Sequence, residues 1–465
     1  MIHPASEQRV FAERTGWLLL GGLAFLVAML GGSSRPDAVQ LVALRPLSAL
    51  FLIPALYGLH RSYLAGARTL LLLFGAIAVW TLIQLIPLPP AIWQALPGRE
   101  AIAQMDALLG LDGHWRPISL GPWRGWNALA ALVLPIAALL LAVATQARAK
   151  TLLLIVVGLG VADAVLGLLQ VGFGAGGALY FYTHTNEGTP VGIFANENHS
   201  GVFSACVLMV LARLALEERS AERQPAIKIA YPAVFLIVLL VALVSGSRAG
   251  LLTTAIAIAA SAGMAWAVLS KRSQADRHKK SSKFRIAPQK LLFGVVGLLV
   301  LIIVGAFFAF DRAPALNAIL AQDALADLRW AIWPTLVEMI STHWAFGTGF
   351  GSFEEVYHIF ERPSLLFSKY LNQAHNDWAQ YLIEGGVPAV AILIALALWV
   401  ARALRKSISV SEAPLLTKIF WLGLASIVAI ASAFDYPLRT PIFQLVATWL
   451  LVVLALESRE NVATS

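Results

Sequence analysis

The sequence predicts an all-α polytopic membrane protein with about twelve transmembrane helices and one large helical loop outside the membrane. Hydrophobic residues make up 59% of the 465 residues and charged residues only 13%, whereas an ordinary soluble domain has about 25% charged residues. The mean hydropathy of the chain is +0.75. Long apolar runs recur, and the alternating pattern of an outer-membrane barrel is not seen. Helices are expected because a helix satisfies its backbone polar groups within the segment.

Twelve apolar runs define the predicted spans, each close to the roughly 20 residues that a helix needs to cross a bilayer. They lie at 16–32, 38–59, 69–88, 127–145, 151–173, 199–216, 229–245, 250–269, 291–310, 386–404, 418–434 and 441–456. Arg9 and Arg14 before the first run imitate a secretory signal. Inserted helices follow at once and no clear A-x-A cleavage site is present, so we predict that the first span is retained.

The basic residues predict the orientation. With the N-terminus inside, the cytoplasmic pieces hold 22 Lys and Arg residues and the outside pieces hold 10. This bias places both termini in the cytoplasm. The densest block, 271–290, resembles a nucleic-acid patch in composition, but an inside loop held against anionic lipid headgroups explains it better in this setting. We therefore expect no nucleic-acid partner, and the net charge of +8 is a topology signal.

Two outside connections are longer than plain loops. The first, 89–126, contains four tryptophans, which we interpret as anchors at the lipid headgroups, with sugar-stacking platforms as the alternative. The second, 311–385, should carry helices of its own, one over 323–342 and another starting at 376–384 and leading into the tenth span. A large polar loop on a polytopic protein favours processing at the membrane face over a simple pore.

Polar residues within the spans have structural interpretations. The single cysteine, Cys206, permits no intramolecular disulfide, and a buried structural thiol is the default interpretation. Arg45 and Asp163 are unfavourable in lipid. We expect that they either pair with each other or line a polar cavity.

Four polar segments are predicted at outside ends of spans. They are 192–201 with Asn196, Asn198 and His199, 245–250 with Arg248, 327–353 with Arg329 and a glycine-rich turn, and 373–386 with His375, Asn376 and Asp377.

Each of these segments also has a purely structural interpretation. Arg248 can extend to the headgroups from a helix end, and Arg329 can pair with a neighbouring aspartate. His375 can simply enter a helix that Asn376 or Asp377 caps. The asparagines at 196 and 198 can serve as caps or turn formers rather than substrate contacts.

In their order, spacing and common outside placement, these segments resemble the bacterial O-antigen ligases and the related O-antigen and exopolysaccharide polymerases, over roughly 192–390. The resemblance implies a C-type, membrane-embedded glycosyltransferase of the inner membrane. Such an enzyme moves a glycan from undecaprenyl diphosphate to an acceptor at the periplasmic face. Arg248 and Arg329 fall where the family has essential arginines, and His375 falls on its essential histidine. Beside these residues, Asn196, Asn198, Asn376 and Asp377 are our candidates for substrate binding.

The resemblance also implies a division of the chain. Residues 1–190 form N-terminal transmembrane helices with the loop 89–126. Residues 191–404 form the ligase-like core, including the periplasmic loop 311–385. Residues 405–465 form C-terminal transmembrane helices.

The chemistry of these residues is compatible with glycan transfer. Arginine stabilises the charge that develops on a leaving diphosphate, and it does so without changing protonation state. The acceptor hydroxyl must lose a proton, for which histidine is the usual base. Asp377 is a candidate to orient His375, although positions two apart do not share a helix face.

No cofactor is expected. The outside loops contain no D-x-D and the sequence no H-x-x-x-H or H-E-x-x-H spacing, so we predict no metal site. No Walker loop is present, so the diphosphate linkage of the donor would supply the energy.

Three functions remain open at this point. The first is a ligase that uses lipid A-core as acceptor, and the second is a polymerase that uses a second lipid-linked glycan. The third is a transporter, suggested by twelve spans and by Arg45 and Asp163, but the long outside loop disfavours it because transporters keep their sites near the bilayer midplane.

Overall fold

The computed structural model describes residues 4–174, 176–217, 225–277, 330–366 and 371–459, and these ranges are predominantly helical. The helices are α1 Pro4–Leu30, α2 Gln40–Leu50, α3 Leu52–Tyr57, α4 Arg61–Ile83, α5 Pro90–Gln94, α6 Glu100–Leu109, α7 Pro122–Ala131, α8 Val133–Ala144, α9 Ala149–Phe173, α10 Glu197–Glu217, α11 Pro225–Val244, α12 Arg248–Arg277, α13 Trp333–His343, α14 Phe353–Phe360, α15 Asp377–Val410, α16 Pro414–Phe434 and α17 Pro441–Glu457. Two-residue strands, β1 Pro87–Leu88 and β2 Arg116–Pro117, form an antiparallel pair.

The helices agree with the predicted spans. Eight apolar segments of the described chain are long enough to cross a membrane: Gln40–Tyr57, Gly66–Ile83, Pro122–Ala144, Ala149–Phe173, Glu197–Glu217, Arg248–Lys271, Asp377–Val410 and Pro414–Phe434. Three shorter apolar helices, Arg14–Leu30, Ile229–Val244 and Pro441–Glu457, coincide with three further predictions. The remaining predicted span, 291–310, lies outside the described residues. The all-α, polytopic class is therefore confirmed.

Helix α10 lies at the centre of the bundle. It packs against α9, α11, α12 and α16, and Phe203 and Met209 on it are fully buried. Small residues allow the closest approach: a Cβ atom on Gly201 would lie 2.9 Å from the Cα atom of Gly250 on α12. Backbones that approach this closely are typical of helix packing in membranes. This contact brings the start of α10 beside the start of α12.

Helix α15 bends where it leaves the polar layer. Gly386 has φ +61° and ψ −162°, a conformation that glycine adopts without steric penalty. A Cβ atom at this position would lie 2.6 Å from the backbone nitrogen of Gly347. The bend separates a first segment, 377–385, from the membrane segment. The sequence predicted a helix start at 376–384 that leads into the span from 386, but it did not predict the bend.

The outer layer packs around this bend through the predicted glycine-rich turn. Gly347, Gly349 and Gly351 all have positive φ. The backbone N–H groups of Thr348 and Gly349 donate to Ile383 and Glu384 carbonyls at 2.9 Å each. Helices α13 and α14 cover the turn and form a second small hydrophobic core. Of the predicted helix 323–342, the structure describes the part from 330 onward, which includes α13.

The first outside loop docks on the same layer. Arg99 is buried and donates to the carbonyls of Ile118 at 2.6 Å and Gly347 at 3.3 Å. Its Nη1 atom lies 3.0 Å from Nδ1 of His343. Burial, and then the Arg99 charge, lower the pKa of His343 to about 4, so its ring is neutral and accepts this hydrogen bond. Burial likewise lowers the pKa of Arg99 to about 10.

The tryptophans of this loop divide into two groups. Trp93 is buried and donates to the Pro117 carbonyl at 2.8 Å, so it is a core residue of the loop. Trp115, Trp123 and Trp126 are exposed, as the predicted headgroup anchors require.

An ionic cluster around the buried Arg213 lies at the opposite end of the bundle. Arg213 on α10 is buried and donates to Glu457 of α17 at 2.5 Å and to Glu217 at 2.9 Å. Glu457 also accepts from Ser407 at 3.1 Å and from the Trp421 indole at 2.9 Å. The cluster joins α10, α15, α16 and α17 at their ends.

Candidate active site

His375 lies just before α15, in an unusual backbone conformation. Its φ is +49°, which is uncommon for a residue with a Cβ atom but more frequent for His, Asn and Asp. The ring packs edge-on against Tyr436, with centroids 4.9 Å apart. Its Nδ1 atom lies 3.7 Å from Oδ1 of Asp435, and 24% of the side chain remains exposed. The histidine is thus held beside a carboxylate while part of it stays accessible.

Asp435 is shared with a second histidine. His199, in the first turn of α10, lies with Nε2 3.9 Å from Oδ2 of Asp435, and both side chains are 1% exposed. The other ring nitrogen of His199, Nδ1, lies 3.1 Å from the Thr440 hydroxyl. The Tyr436 ring contacts both imidazoles, at 4.9 Å from His375 and 5.3 Å from His199. One buried carboxylate therefore lies between an accessible histidine and a buried one.

The two residues after His375 join α15 to α16. The Asn376 side chain caps α15 by accepting from the backbone N–H of Ala379 at 2.9 Å, and its amide donates to the Ala433 carbonyl at 3.0 Å. Asp377 is buried and accepts from the Ser432 hydroxyl at 3.1 Å and from the Leu438 N–H at 3.2 Å. Asp435, and not Asp377, is thus the carboxylate beside the His375 ring.

The predicted segments 192–201 and 245–250 meet through a short chain of hydrogen bonds. Asn196 accepts from the backbone N–H of Asn198 at 2.8 Å. Asn198 in turn accepts from the Ser247 hydroxyl at 2.6 Å. Ser247 caps α12 by accepting from the Gly250 N–H at 2.8 Å. Arg248 follows directly as the first residue of α12.

A path of contacts therefore connects two of the predicted catalytic residues. His375 and His199 flank Asp435, and the neighbour of His199, Asn198, holds the residue before Arg248. The third, Arg329, lies outside the described residues.

A cavity of about 410 Å³ borders this cluster on the α15 side. Its polar end includes Arg124, Arg439, Glu354, Asp377 and Glu384. Gln373 and Asp377, two residues to either side of His375, line the cavity, whereas His375 itself is not among its lining residues. Apolar side chains of α4 and α15 line the remainder, among them Leu70, Phe74, Ile77, Leu393 and Leu396. The cavity therefore combines an apolar wall with a polar end at which Arg124 and Arg439 are paired with carboxylates.

Arg439 marks the polar end of this cavity. It donates from Nη2 to Oε2 of Glu384 at 3.1 Å, and its Nε atom lies 3.5 Å from Oδ1 of Asp377. Glu384 is buried and also accepts from the Gln380 amide at 3.1 Å. Arg439 keeps 22% of its side chain exposed.

Arg45 and Asp163 do not pair with each other. Arg45 donates to the side chain of Asn127 and lines the cavity, which agrees with the second of its two predicted roles. Asp163 accepts from the Ile193 N–H and from the Ser200 hydroxyl, each at 2.9 Å. It fixes the segment before α10 and has a structural role.

A comparison with known families identifies part of the chain. Residues 233–394 match the family model described as O-antigen ligase. The chain carries an O-antigen ligase domain. No curated protein matches the chain. The domain agrees with the resemblance expected over 192–390, and it indicates a membrane enzyme that transfers glycans.

The O-antigen ligase domain contains Arg248 and His375 but ends before Asp435 and Arg439. These two residues, together with His199, complete the polar cluster from outside the matched segment. Of these three residues, sequence analysis predicted only His199, within the segment 192–201. A signal was present: Asp435 and Arg439 bracket the short connection between the last two spans, on the side predicted for the catalytic loop.

Proposed function

We propose that this protein transfers a glycan from undecaprenyl diphosphate to an acceptor hydroxyl at the periplasmic face of the bacterial inner membrane. Lipid A-core is the proposed acceptor, which makes the protein an O-antigen ligase. One observation carries the proposal: an accessible histidine beside a buried carboxylate lies two residues from the lining of a cavity. This cavity has arginines and carboxylates at its polar end and apolar side chains along the rest. That combination lies in and beside an O-antigen ligase domain.

The cavity supports a lipid-linked donor. Its volume, about 410 Å³, is within the range of about 300–1,000 Å³ that small-molecule sites have. A prenyl chain would contact the apolar side chains between α4 and α15. The diphosphate would then lie toward Arg439 and Arg124, near the start of α15.

Arg248 and Arg329 are the proposed phosphate-stabilising residues. Arg248 is not among the residues that line the cavity, but the contacts through Asn198 and Asp435 place its helix start beside the His375 cluster. A guanidinium can bind two phosphate oxygens at once, and such charge-assisted bonds strengthen as negative charge develops on the leaving diphosphate.

His375 is the proposed general base. The acceptor oxygen attacks the anomeric carbon of the donor sugar, and Nε2 of His375 takes the hydroxyl proton. The bond between that carbon and the phosphate oxygen breaks, and undecaprenyl diphosphate leaves with the electron pair. Asp435, on the Nδ1 side of the ring, favours the tautomer with a free Nε2 and stabilises the imidazolium that forms. His199 is excluded from this role because its side chain is 1% exposed.

We assign the four predicted substrate-binding residues to the positioning of Arg248 and His375. Asn196 and Asn198 hold the starts of α10 and α12 together, and Asn376 and Asp377 hold the start of α15 against α16. Their polar atoms form hydrogen bonds within the protein, which favours positioning of Arg248 and His375 over direct binding of substrate.

The transporter alternative was suggested by twelve spans and by Arg45 and Asp163 within them. Asp163 accepts hydrogen bonds from Ile193 and Ser200 and has a structural role, which favours the enzyme over a transporter. A polymerase remains the alternative function. It uses the same donor chemistry, but its acceptor is a second lipid-linked repeat.

Reconstitution tests the proposal. Purified full-length protein should transfer glycan from the undecaprenyl diphosphate donor to lipid A-core, without ATP and in the presence of EDTA. Failure with this acceptor, together with extension of a second lipid-linked glycan, would identify a polymerase. Failure with both acceptors, in a preparation that elutes as a folded protein, would overturn glycan transfer by this chain.

A further inference from the structure

A groove opens at the far end of α15 from His375. Its volume is about 780 Å³, and it lies between α4, α15 and the residue that follows α17. Side chains that line it include Leu73, Leu398, Trp399, Arg402, Arg405 and Lys406. The groove shares Leu73 with the cavity near His375. Its lining residues on α15 lie beyond residue 394, where the O-antigen ligase domain ends, and none of its basic residues lines the cavity near His375.

The lining residues of α15 form one stripe that changes in character along the helix. Residues three, four or seven positions apart share a helix face, so Leu398, Arg402 and Arg405 lie above one another. Trp399 and Lys406 continue the same stripe. At about 1.5 Å per residue, Leu398 and Lys406 are separated by roughly 12 Å along the axis. The apolar side chains lie toward the membrane interior and the basic ones toward the helix end.

The groove has a positive charge that its own walls do not neutralise. Arg402, Arg405 and Lys406 are all exposed, and among the described residues that line the groove none is acidic. Glu457 is next in sequence to the lining residue Ser458, but its carboxylate is bound to Arg213 at 2.5 Å and to Ser407 and Trp421. An anion in the groove would therefore meet three basic side chains.

We propose that this groove binds an anionic phospholipid of the phosphatidylglycerol type. The phosphate would lie among Arg402, Arg405 and Lys406, and an acyl chain would pack on Leu73 and Leu398. Basic pockets between transmembrane helices on the cytoplasmic side bind anionic headgroups of this kind. Trp399 lines the same groove three residues before Arg402, and tryptophans are frequent where helices cross the interface. The basic residues of the chain predict that this end of α15 is cytoplasmic.

Three basic side chains that merely extend into water would attract an anionic headgroup by charge alone, whether or not an acyl chain is attached to it. Those of α15 instead surround a groove with an apolar wall, which matches a phosphate and an acyl chain of one molecule. The site should therefore discriminate phosphatidylglycerol from phosphatidylcholine, whose headgroup carries no net charge.

Native mass spectrometry of the purified full-length chain tests this proposal. With an equal mixture of phosphatidylglycerol and phosphatidylcholine, we expect retained lipid to be mainly phosphatidylglycerol. The double variant R402Q/K406Q should reduce its retention by about fivefold or more, since each basic residue near a lipid surface contributes about that factor. Arg402→Lys should retain binding because it keeps the charge.

The matched control is Lys418→Gln, which removes an exposed basic residue of α16 near the same end of the bundle. Elution of every variant as a single species establishes folding. Equal retention of the two lipids, or the same loss with Lys418→Gln as with R402Q/K406Q, would overturn the proposal. Full competition by soluble glycerol phosphate would also overturn it, because the site would then need no lipid. Binding is measured without glycan substrates, so the result is independent of the proposed transfer.

Discussion

The cluster around Arg213 and the cluster around Asp435 both place ionisable groups among membrane helices, yet they differ in how closely their members approach. Arg213 binds Glu457 at 2.5 Å and Glu217 at 2.9 Å, whereas the two histidines lie 3.7 and 3.9 Å from Asp435. The Arg213 cluster is closed by hydrogen bonds from Ser407 and Trp421. The Asp435 cluster borders a cavity, and one of its histidines stays accessible.

This difference separates structural from functional charge. A buried ion pair with short contacts on every side holds helices together, and removing one partner leaves a charge that the interior cannot solvate. A looser arrangement beside a cavity leaves room for a substrate, and catalytic contacts often shorten when substrate binds. We therefore expect substitutions in the Asp435 cluster to reduce activity and substitutions in the Arg213 cluster to reduce stability.

The largest effect is expected for His375→Asn. Asparagine tolerates the positive φ at this position, so the backbone is preserved while the base is lost. Glycan transfer should fall by about 10²- to 10⁴-fold, the usual range for losing a general base, with thermal stability unchanged. The matched control is His358→Asn, an exposed histidine of α14. Transfer rates of His375→Asn within threefold of wild type, a threshold of roughly 0.7 kcal/mol, would remove the base assignment.

The next largest effect is expected for arginine at the donor site. Arg248→Ala and Arg329→Ala should each reduce transfer by about 10²- to 10³-fold, the size measured when one donor to a developing anion is removed. Lysine replacements should recover little, because a point charge does not reproduce the two-point guanidinium contact. Initial transfer rates measure this, with Arg362→Lys as control. Near-normal transfer by Arg248→Lys would show that this residue only caps or anchors α12.

A smaller effect, on stability rather than activity, is expected for Glu457→Gln. This change keeps the size of the side chain but leaves Arg213 with Glu217 as its remaining acidic partner. The free energy of unfolding should fall by about 3 kcal/mol, the low end for breaking a buried pair. Transfer per folded molecule should be unchanged. Thermal unfolding in detergent measures the stability. Single-turnover assays measure the transfer per folded molecule. Glu338→Gln, in an exposed pair with Arg362, should change stability by less than about 1 kcal/mol. A large loss of transfer per folded Glu457→Gln molecule would contradict the comparison.

The smallest expected effect is a pH dependence of stability, which arises at the contact between Arg99 and His343. Burial and Arg99 lower the pKa of His343 to about 4 in the folded protein, against about 6.5 when unfolded. Between these values the unfolded chain binds more protons, so stability is present above pH 6.5 and is lost as the pH falls toward 4. From pH 7 to pH 5 the loss should be about 2 kcal/mol. His343→Asn, which keeps an acceptor for Arg99, should lose less over the same interval than the wild type and the His358→Asn control. Equal pH dependence in all three proteins would contradict the lowered pKa.

The membrane spans were predicted from the hydropathy of the sequence. Eight long and three shorter apolar segments coincide with predicted spans, because apolar length decides which segments cross a bilayer. The start of α15 and the glycine-rich turn were also predicted, since each depends on local chemistry, whereas the bend at Gly386 was not. The position of His375 at the start of the helix followed from the same pattern.

The polar partners were not predictable in this way. Asp435 is 60 residues beyond His375 in the sequence, and α15 and α16 lie between them, so its contact with the ring depends on how those helices pack. Arg439 contacts Glu384 and Asp377 for the same reason. For Arg45 and Asp163 the sequence left two possibilities open, that they pair with each other or that they line a polar cavity, and it could not decide between them. The sequence does not show how two spans align side by side, so it does not reveal whether charged residues in them are close. In the structure, Arg45 and Asp163 each bind a different partner.

The position of Asp435 near the end of the chain has a consequence for biosynthesis. His199 precedes it by 236 residues, and ribosomes add about 5–20 residues per second, so roughly 10 to 50 seconds separate their synthesis. During that interval α10 can enter the membrane with His199 in place, before the carboxylate that both histidines will share has been made. A nascent chain that stalls before the last connection would therefore be inserted, helical and inactive, and quality control that senses only membrane insertion would not detect it.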